Sequence, residues 1–150
     1  MDLEFTTEEL KFRDEVRAWI AENYTDDLKK RMSLTKNGSL DEKHQKAWLK
    51  KLAEKGWLVT NWPAEHGGPG WNQTQKYIFE MEMSLAGCPR NSSMGVRMCS
   101  PVIMKFGTDE QKKLWLPPFA RGENKACFAV TEPDTGLDTT KLKVMAKKQP

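Results

Sequence analysis

The residues best suited to contacting a ligand lie near the end of the chain, in the run 126–140. Its first part, 126–130, is short and apolar and predicts a strand, and a polar turn follows. Thr131 places a hydroxyl at the end of that strand, and backbone N–H groups of the turn are free to donate to an acceptor-rich ligand. Gly136 permits a close backbone approach or a positive φ. The run is interpreted either as a ligand-contacting turn or as a capped strand turn.

Two other groups of polar residues favour structural roles. The segment 67–70 lacks the Gly-Lys-Ser/Thr ending of a phosphate-binding loop, and Pro69 removes a donor, so we predict a tight turn. His44 lies on the solvated face of a predicted helix, and His66 follows Glu65 in a loop. Neither histidine has a neighbour in sequence that would support acid–base chemistry.

A segment rich in methionine, 91–106, predicts a helix that contains Pro101 and is therefore kinked or broken there. Its apolar side chains are interpreted either as core or as the wall of an apolar ligand pocket, because methionine adapts to variable shapes. Arg97 interrupts the apolar pattern and would either pair with an acid or reach a ligand anion.

Five helices are predicted to position these groups. Capping boxes, in which Ser or Thr precedes Glu or Gln by three residues, begin three of them: Thr6 with Glu9, Ser39 with Glu42, and Thr108 with Gln111. The predicted ranges are 7–23, 39–56, 72–86, 91–106 and 108–116, the last ending before two prolines. The segment 24–38 is predicted as a helical turn and a loop, and the Trp-rich segment 57–71 as an ordered loop.

The predicted fold class is mainly α. Residues 1–125 form a helical domain, and 126–150 begin a β-domain with strands at 126–130 and 141–146. Two strands alone are marginally stable in water, so their apolar faces need partner strands.

Composition narrows the class of protein further. The chain has 150 residues, of which 38% are hydrophobic and 30% charged, which is typical of one globular domain. A net charge of +3 argues against nucleic acid or a membrane surface as the partner. Cys88, Cys99 and Cys127 lack metal-ligand spacing and are predicted to be reduced core cysteines, with no metal site. The acidic N-terminus and the lack of a long apolar run predict a cytoplasmic protein.

Several motifs, in this order, resemble the acyl-CoA dehydrogenase family over about residues 5–146. They are 12–19, similar to the family's first helix; Asn-Trp-Pro-Ala-Glu-His-Gly-Gly at 61–68; Phe-Gly-Thr-Asp-Glu-Gln-Lys at 106–112, followed by Leu116 and Pro117; and Val-Thr-Glu-Pro at 130–133, followed by Gly136 and Asp138. The last motif resembles the family's first flavin-contacting segment. In that family it opens a middle β-domain, barrel-like and here incomplete, directly after a helical N-terminal domain.

The resemblance implies a flavoenzyme of lipid metabolism that binds FAD and oxidises an acyl-CoA thioester to the trans-2-enoyl-CoA, as in fatty acid β-oxidation. Carried over by position, the cofactor-binding residues are Phe128, Ala129, Val130, Thr131, Gly136 and Leu137. The substrate-binding residues are Leu137, Met94 and Met98, the two methionines forming part of the acyl-chain wall. The implied partners are acyl-CoA and an electron-transferring flavoprotein, in a homotetramer.

Three departures from the family pattern matter. Leu137 stands where the family often has Ser, so only its backbone N–H is left to hold a ligand. Val144 stands where the family usually has Thr. Family members are also more than twice this length, and their catalytic Glu belongs to a C-terminal helical domain. No residue here is assigned as the base, and Glu132 is assigned to the turn.

Two further hypotheses stand beside the preferred one. The preferred expectation is the N-terminal portion of an acyl-CoA dehydrogenase, truncated and inactive alone. The chain is alternatively a helical interaction module that pairs with another dehydrogenase chain, or a flavin- or CoA-binding protein without catalysis.

Overall fold

A computed structural model describes residues 4–36, 39–90, 94–145 and 147. The elements, in chain order, are α1 (Thr7–Asn23), α2 (Asp26–Ser33), α3 (Glu42–Glu54), a 3-10 turn (Ala64–His66), α4 (Gln73–Leu85), a π-turn (Gly95–Cys99), α5 (Ser100–Phe106), α6 (Asp109–Ala120) and a second 3-10 turn (Thr139–Lys141). The chain is mainly helical, as its sequence predicts. The predicted start of the fourth helix, at Asn91, lies outside the described residues.

Side-chain caps fix where the helices begin. The Thr6–Glu9 and Thr108–Gln111 capping boxes are confirmed, with the hydroxyl and the side-chain carboxylate or amide each accepting a backbone N–H. The Ser39 cap is wrong, because the Asp41 carboxylate accepts from the His44 N–H and α3 therefore begins at Glu42. The predicted turn after α1 is a full helix, α2, capped by Thr25.

The last helix passes through two prolines, which corrects its predicted end. Pro117 and Pro118 remove two donors from α6, so the carbonyls of residues 113 and 114 lose their i→i+4 partners. Burial of Leu116 and Phe119 anchors the final turn. The Arg121 N–H then donates to the Pro117 carbonyl at 3.0 Å and closes the helix.

The core is a cluster of aromatic and aliphatic side chains between the helices. Trp48 of α3 is buried, and so are Trp57 and Trp62 of the Trp-rich loop, so the predicted order of that loop is confirmed. The ring of Trp57 meets that of Phe79 edge to face at 5.6 Å. These contacts hold the loop against α4 and leave little freedom to the elements that follow it.

A charged clamp joins α1 to α4. The Arg17 guanidinium donates to both carboxylate oxygens of Glu82, at 2.8 and 2.9 Å. Glu82 is buried, and the paired donors compensate for the loss of its hydration. The same contact raises the pKa of Arg17, mainly through its hydrogen bond to Glu82.

The segment after α6 forms no sheet within its described residues. Residues 126–130 lie outside any ladder, and the backbone pairing there is one isolated bridge between Glu132 and Thr135. The predicted second strand begins instead in a 3-10 turn, Thr139–Lys141, and its last residue, Ala146, is outside the described ranges. The physical reason is the lack of partner strands, because isolated strands are only marginally stable.

Candidate functional site

Two of the predicted site elements meet at one cavity. Met94, at the start of the π-turn, and Ala126, at the start of the C-terminal segment, both line a cavity of about 340 Å³. Phe119 of α6 and Leu58 contribute apolar walls, and Gln45 of α3 contributes an amide. One predicted substrate residue and the start of the C-terminal segment therefore line the same cavity.

Met94 directly precedes the π-turn and Met98 lies within it. The hydrogen bonding of this turn depends on Pro101, which follows it in α5. In a π-turn each N–H donates to the carbonyl five residues earlier, and the Ser100 N–H does so to Gly95. Pro101 has no N–H, so the Val96 carbonyl lacks the corresponding donor. The Trp62 indole Nε1–H fills that place at 2.9 Å, in a buried contact. The predicted break at Pro101 is thus a change of helical register directly before it.

Two further contacts fix the π-turn. The Ser100 hydroxyl donates to the Gly95 carbonyl at 2.7 Å, and Ser100 is fully buried. A Cβ added at Gly95 would lie 2.4 Å from the Phe119 ring, so only glycine allows α6 this close. Sequence reasoning missed Trp62, Ser100 and Gly95 in this role. The sequence did carry a signal for it. Pro101 lies in a predicted helix, Ser100 precedes it directly, and Gly95 lies five residues before Ser100.

Met94 and Met98 lie at the surface rather than in the core. Their side chains are 44% and 54% exposed. Of the two interpretations of this Met-rich segment, the core one fails for these residues. The other interpretation, the wall of an apolar ligand pocket, remains for these two residues.

The six predicted cofactor residues lie along an open strip of chain. Phe128 is 65% exposed and Leu137 is fully exposed, and Ala129, Thr131 and Gly136 are also exposed. Val130 is half-buried. Ala126 lines the same cavity as Met94. The strip that follows is not covered by any other described part of the chain.

Several backbone donors of the strip have no partner among the described residues, although the Glu132 and Thr135 amides pair with each other's carbonyls. The Thr131, Gly136 and Leu137 amides donate to none of the described acceptors, and neither does the Thr131 hydroxyl. Gly136 has a φ outside the left-handed region and open space where a Cβ would stand, so close approach is its relevant property. These donors, beside exposed apolar groups, fit an aromatic ligand with many acceptors, such as a flavin.

Two carboxylates shape the turn within this strip. Glu132 accepts from the Lys143 and Val144 amides at 2.8 to 3.0 Å, which makes it a backbone anchor and agrees with its assignment to the turn. Asp138 accepts from Thr140, and that side-chain hydrogen bond, followed by the one from Lys141, lowers the pKa of Asp138. Neither carboxylate is free for acid–base chemistry.

The remaining candidates have structural partners. The Arg97 guanidinium pairs with Glu80 at 2.6 Å, which selects the acid-pairing interpretation. His44 contacts Asp41 at 2.6 Å in the cap of α3. In the glycine-rich turn, a Cβ at Gly68 would lie 1.8 Å from the Trp62 carbonyl oxygen, so this turn is structural as predicted.

The three cysteines are free thiols in different surroundings. Burial raises the pKa of the Cys88 thiol to about 12. Cys99 is half-buried and Cys127 is exposed, so the prediction of core cysteines holds for Cys88 and is wrong for Cys127. In the described part of the chain, no group of three His, Cys, Asp or Glu is placed to hold a metal, and no helix is long and apolar enough to cross a membrane.

Comparison with known proteins covers nearly the whole chain. The sequence profile described as "Acyl-CoA dehydrogenase, N-terminal domain" matches residues 6–123. Acyl-CoA dehydrogenase FadE26 of Mycobacterium tuberculosis is 29% identical over 146 residues, which are 97% of this chain and 36% of that protein. The chain therefore spans about a third of the length of such relatives.

Solved structures agree with the sequence relatives. The ChsE4-ChsE5 complex from Mycobacterium tuberculosis contains a chain that superposes with a TM-score of 0.74 at 29% identity, over 95% of this chain and 35% of that one. The "Tcur3481-Tcur3483 steroid ACAD" gives a TM-score of 0.73 at 31% identity, over 95% of this chain and 36% of that chain. The helical architecture is thus that of the N-terminal part of these chains, and the predicted fold class is confirmed.

Proposed function

This chain belongs to the acyl-CoA dehydrogenase family, and we propose that it supplies the helical substrate wall and the first flavin-contacting segment of such an enzyme. The observation that carries the proposal is the 340 Å³ cavity that Met94 and Ala126 both line. Met94 belongs to an exposed apolar wall, and the strip with free donors begins two residues after Ala126. We divide the chain accordingly into a helical domain, 1–125, and the start of a β-domain, 126–150.

The proposed cofactor is FAD, held along the strip 128–137. Phe128, Ala129 and Val130 would lie along the flavin ring, with the Thr131 hydroxyl donating to one of its acceptors. The amides of Gly136 and Leu137 would hold the more polar part of the cofactor. When bound, FAD supplies the acceptor for a hydride from the substrate.

The proposed substrate is an acyl-CoA thioester whose acyl chain lies against Met94 and Met98. Methionine side chains adapt to acyl groups of different shape, and their exposed position makes them available. The role of this chain is to bind and orient the acyl group, which lowers the entropic cost of reaching a reactive geometry. No carboxylate of this chain is proposed as the base for the α-proton, because Glu132 is committed to backbone anchoring.

The proposed partners are an electron-transferring flavoprotein, as the acceptor of electrons, and other acyl-CoA dehydrogenase chains in an oligomer. Assembly with a second, different chain is supported by the structural neighbours, which are titled as the ChsE4-ChsE5 complex and the Tcur3481-Tcur3483 steroid ACAD. Because the second neighbour is a steroid ACAD, a steroid thioester is a candidate for the acyl group. Pairing with another dehydrogenase chain is the second candidate function, and it would complete the open flavin strip.

Flavin titration of the purified chain tests the cofactor proposal. We expect the Thr131→Val variant to bind FAD about tenfold more weakly than the wild type, because one hydrogen bond to the ligand is lost. Thr139→Val is the matched control, since it makes the same change at an exposed threonine outside the strip. Equal affinity of all three proteins for FAD, or no binding by any, would refute the assignment of Thr131.

A dye-reduction assay with acyl-CoA tests the assignment of the base. We expect the 150-residue chain saturated with FAD to show no turnover alone. Turnover by the isolated chain would show that one of its own carboxylates acts as the base.

A further inference from the structure

Four exposed apolar side chains follow the π-turn and α5 at intervals of four residues. They are Met94, Met98, Val102 and Phe106, with exposed fractions of 44%, 54%, 57% and 74%. We call this set the apolar stripe. Only its first two members belong to the proposed substrate wall.

A regular α-helix would spread these four residues over a wide arc of its surface. Each residue turns the helix by about 100°, so twelve residues from Met94 to Phe106 would leave them about 120° apart around the axis. A π-turn accommodates one extra residue, so the same stretch turns like eleven α-helical residues. The two ends of the stripe then differ by only about 20°.

The register is held by groups outside the stripe. Pro101 deprives the Val96 carbonyl of a backbone donor, and Trp62 replaces that donor with its indole N–H at 2.9 Å. The Ser100 hydroxyl adds a second donor to the Gly95 carbonyl at 2.7 Å. Both contacts are buried. In a regular α-helix the Ser100 N–H would donate to the Val96 carbonyl, so the buried Trp62 indole N–H would have to share or lose its acceptor.

We propose that Trp62 and Ser100 are positioning residues, which hold the π-turn so that Met94, Met98, Val102 and Phe106 form one continuous wall for the acyl chain. This inference rests on the proposed acyl-CoA function and extends its wall by Val102 and Phe106. Met94 lines the same cavity as Ala126, two residues before the flavin strip begins, so in this arrangement the reacting carbons lie at the Met94 end and the tail runs toward Phe106. The stripe is about 16 Å long, from eleven helical rises of about 1.5 Å.

Chain-length dependence of acyl-CoA binding tests this alignment with the 150-residue protein. Affinities for butyryl-, octanoyl- and dodecanoyl-CoA are measured by calorimetry. In the wild type we expect the affinity to rise about twofold for each methylene added to the acyl chain. Full burial of a methylene would give about fourfold, and the stripe covers only one side of the acyl chain, so half of that free energy is expected.

The informative variant is Trp62→Phe combined with Ser100→Ala, which removes both donors. We expect its ratio of dodecanoyl to butyryl affinity to fall at least tenfold, with butyryl-CoA affinity unchanged, because only the distal wall rotates away. Trp48→Phe is the matched control: Trp48 is equally buried, but its indole nitrogen has no hydrogen-bond partner within the described residues. That control makes the same change from Trp to Phe in the core and is expected to keep the wild-type ratio.

Backbone NMR of residues 94–106 supplies a readout that does not depend on the ligand. The double variant is expected to replace the contacts of a π-turn with those of a regular α-helix, and Trp48→Phe is not. A double variant that keeps the π-turn or the wild-type affinity ratio overturns the positioning role and leaves the proposed function standing. A wild type with no chain-length dependence overturns the acyl wall itself, and a dimer in sedimentation would then assign the stripe to a second copy of the chain.

Discussion

The helical unit and the segment that follows it differ in how far apart in sequence their hydrogen-bonded residues lie. In the helical unit, hydrogen bonds join residues far apart in sequence, such as Arg17 with Glu82 and Trp62 with Val96. In the segment 127–145, the hydrogen bonds among described residues span at most twelve positions, as between Glu132 and Val144. The helical unit has its own buried core, although its apolar stripe is exposed, whereas in the segment Phe128, Leu137, Val144 and Met145 are all exposed. Groups that are not needed for packing are available for a ligand or a partner.

Truncating one leucine in each region tests this difference most strongly. Leu52 is fully buried in the core and Leu137 is fully exposed. We expect Leu52→Ala to lower the free energy of unfolding by about 3 kcal/mol, through lost burial and a residual cavity. Leu137→Ala is expected to change it by less than about 0.5 kcal/mol. Denaturant unfolding measures both, and a comparable loss from Leu137→Ala would show that the segment packs against the helical unit.

Adding a methyl group to one glycine in each region gives the next largest contrast. At Gly95 a Cβ would lie 2.4 Å from the Phe119 ring, which is itself buried, whereas at Gly136 no atom lies within 4 Å. We expect Gly95→Ala to cost about 2 kcal/mol by overpacking. Gly136→Ala is expected to be neutral or to add up to about 1 kcal/mol by restricting the unfolded chain.

The same pair of glycines also separates stability from ligand binding. Because Gly136 is proposed to allow close approach of the cofactor, its Ala variant should bind FAD more weakly while unfolding normally. Unchanged FAD affinity in a stable Gly136→Ala protein would remove Gly136 from the proposed site.

Sequence patterns predicted the helical unit well because its signals are local. The caps at Thr6 and Thr108 and the helical spacing of apolar residues need no knowledge of the rest of the fold. The errors have particular causes. Ser39 and Asp41 both offer a cap, and only packing decides between them. A proline usually ends a helix. Here α6 continues through Pro117 and Pro118, because the buried Phe119 anchors its last turn.

The sequence located the candidate site along the chain, but it did not give the geometry of that site. The resemblance at residues 130–136 selected the strip, and the structure then revealed its free amides. The π-turn depends on a hydrogen bond between residues 34 positions apart, from Trp62 to Val96, which local patterns do not encode. The strands predicted after Ala126 depend on partners that pair with them, and a local apolar pattern carries no information about those partners.

The last contrast concerns one cysteine in each region and is seen only at high pH. Burial raises the pKa of the Cys88 thiol from 9.0 to about 12, whereas Cys127 is exposed. The thiol of the unfolded chain ionises first, so the stability that neutral Cys88 contributes is complete below about pH 9 and is lost as the pH rises toward 12. We therefore expect Cys88→Ala to unfold with a weaker pH dependence than the wild type between pH 9 and 12. Cys127→Ala is the matched control and should follow the wild type, since its thiol is exposed. If the two variants show the same pH dependence, burial of Cys88 is not what separates the helical unit from the segment in alkali.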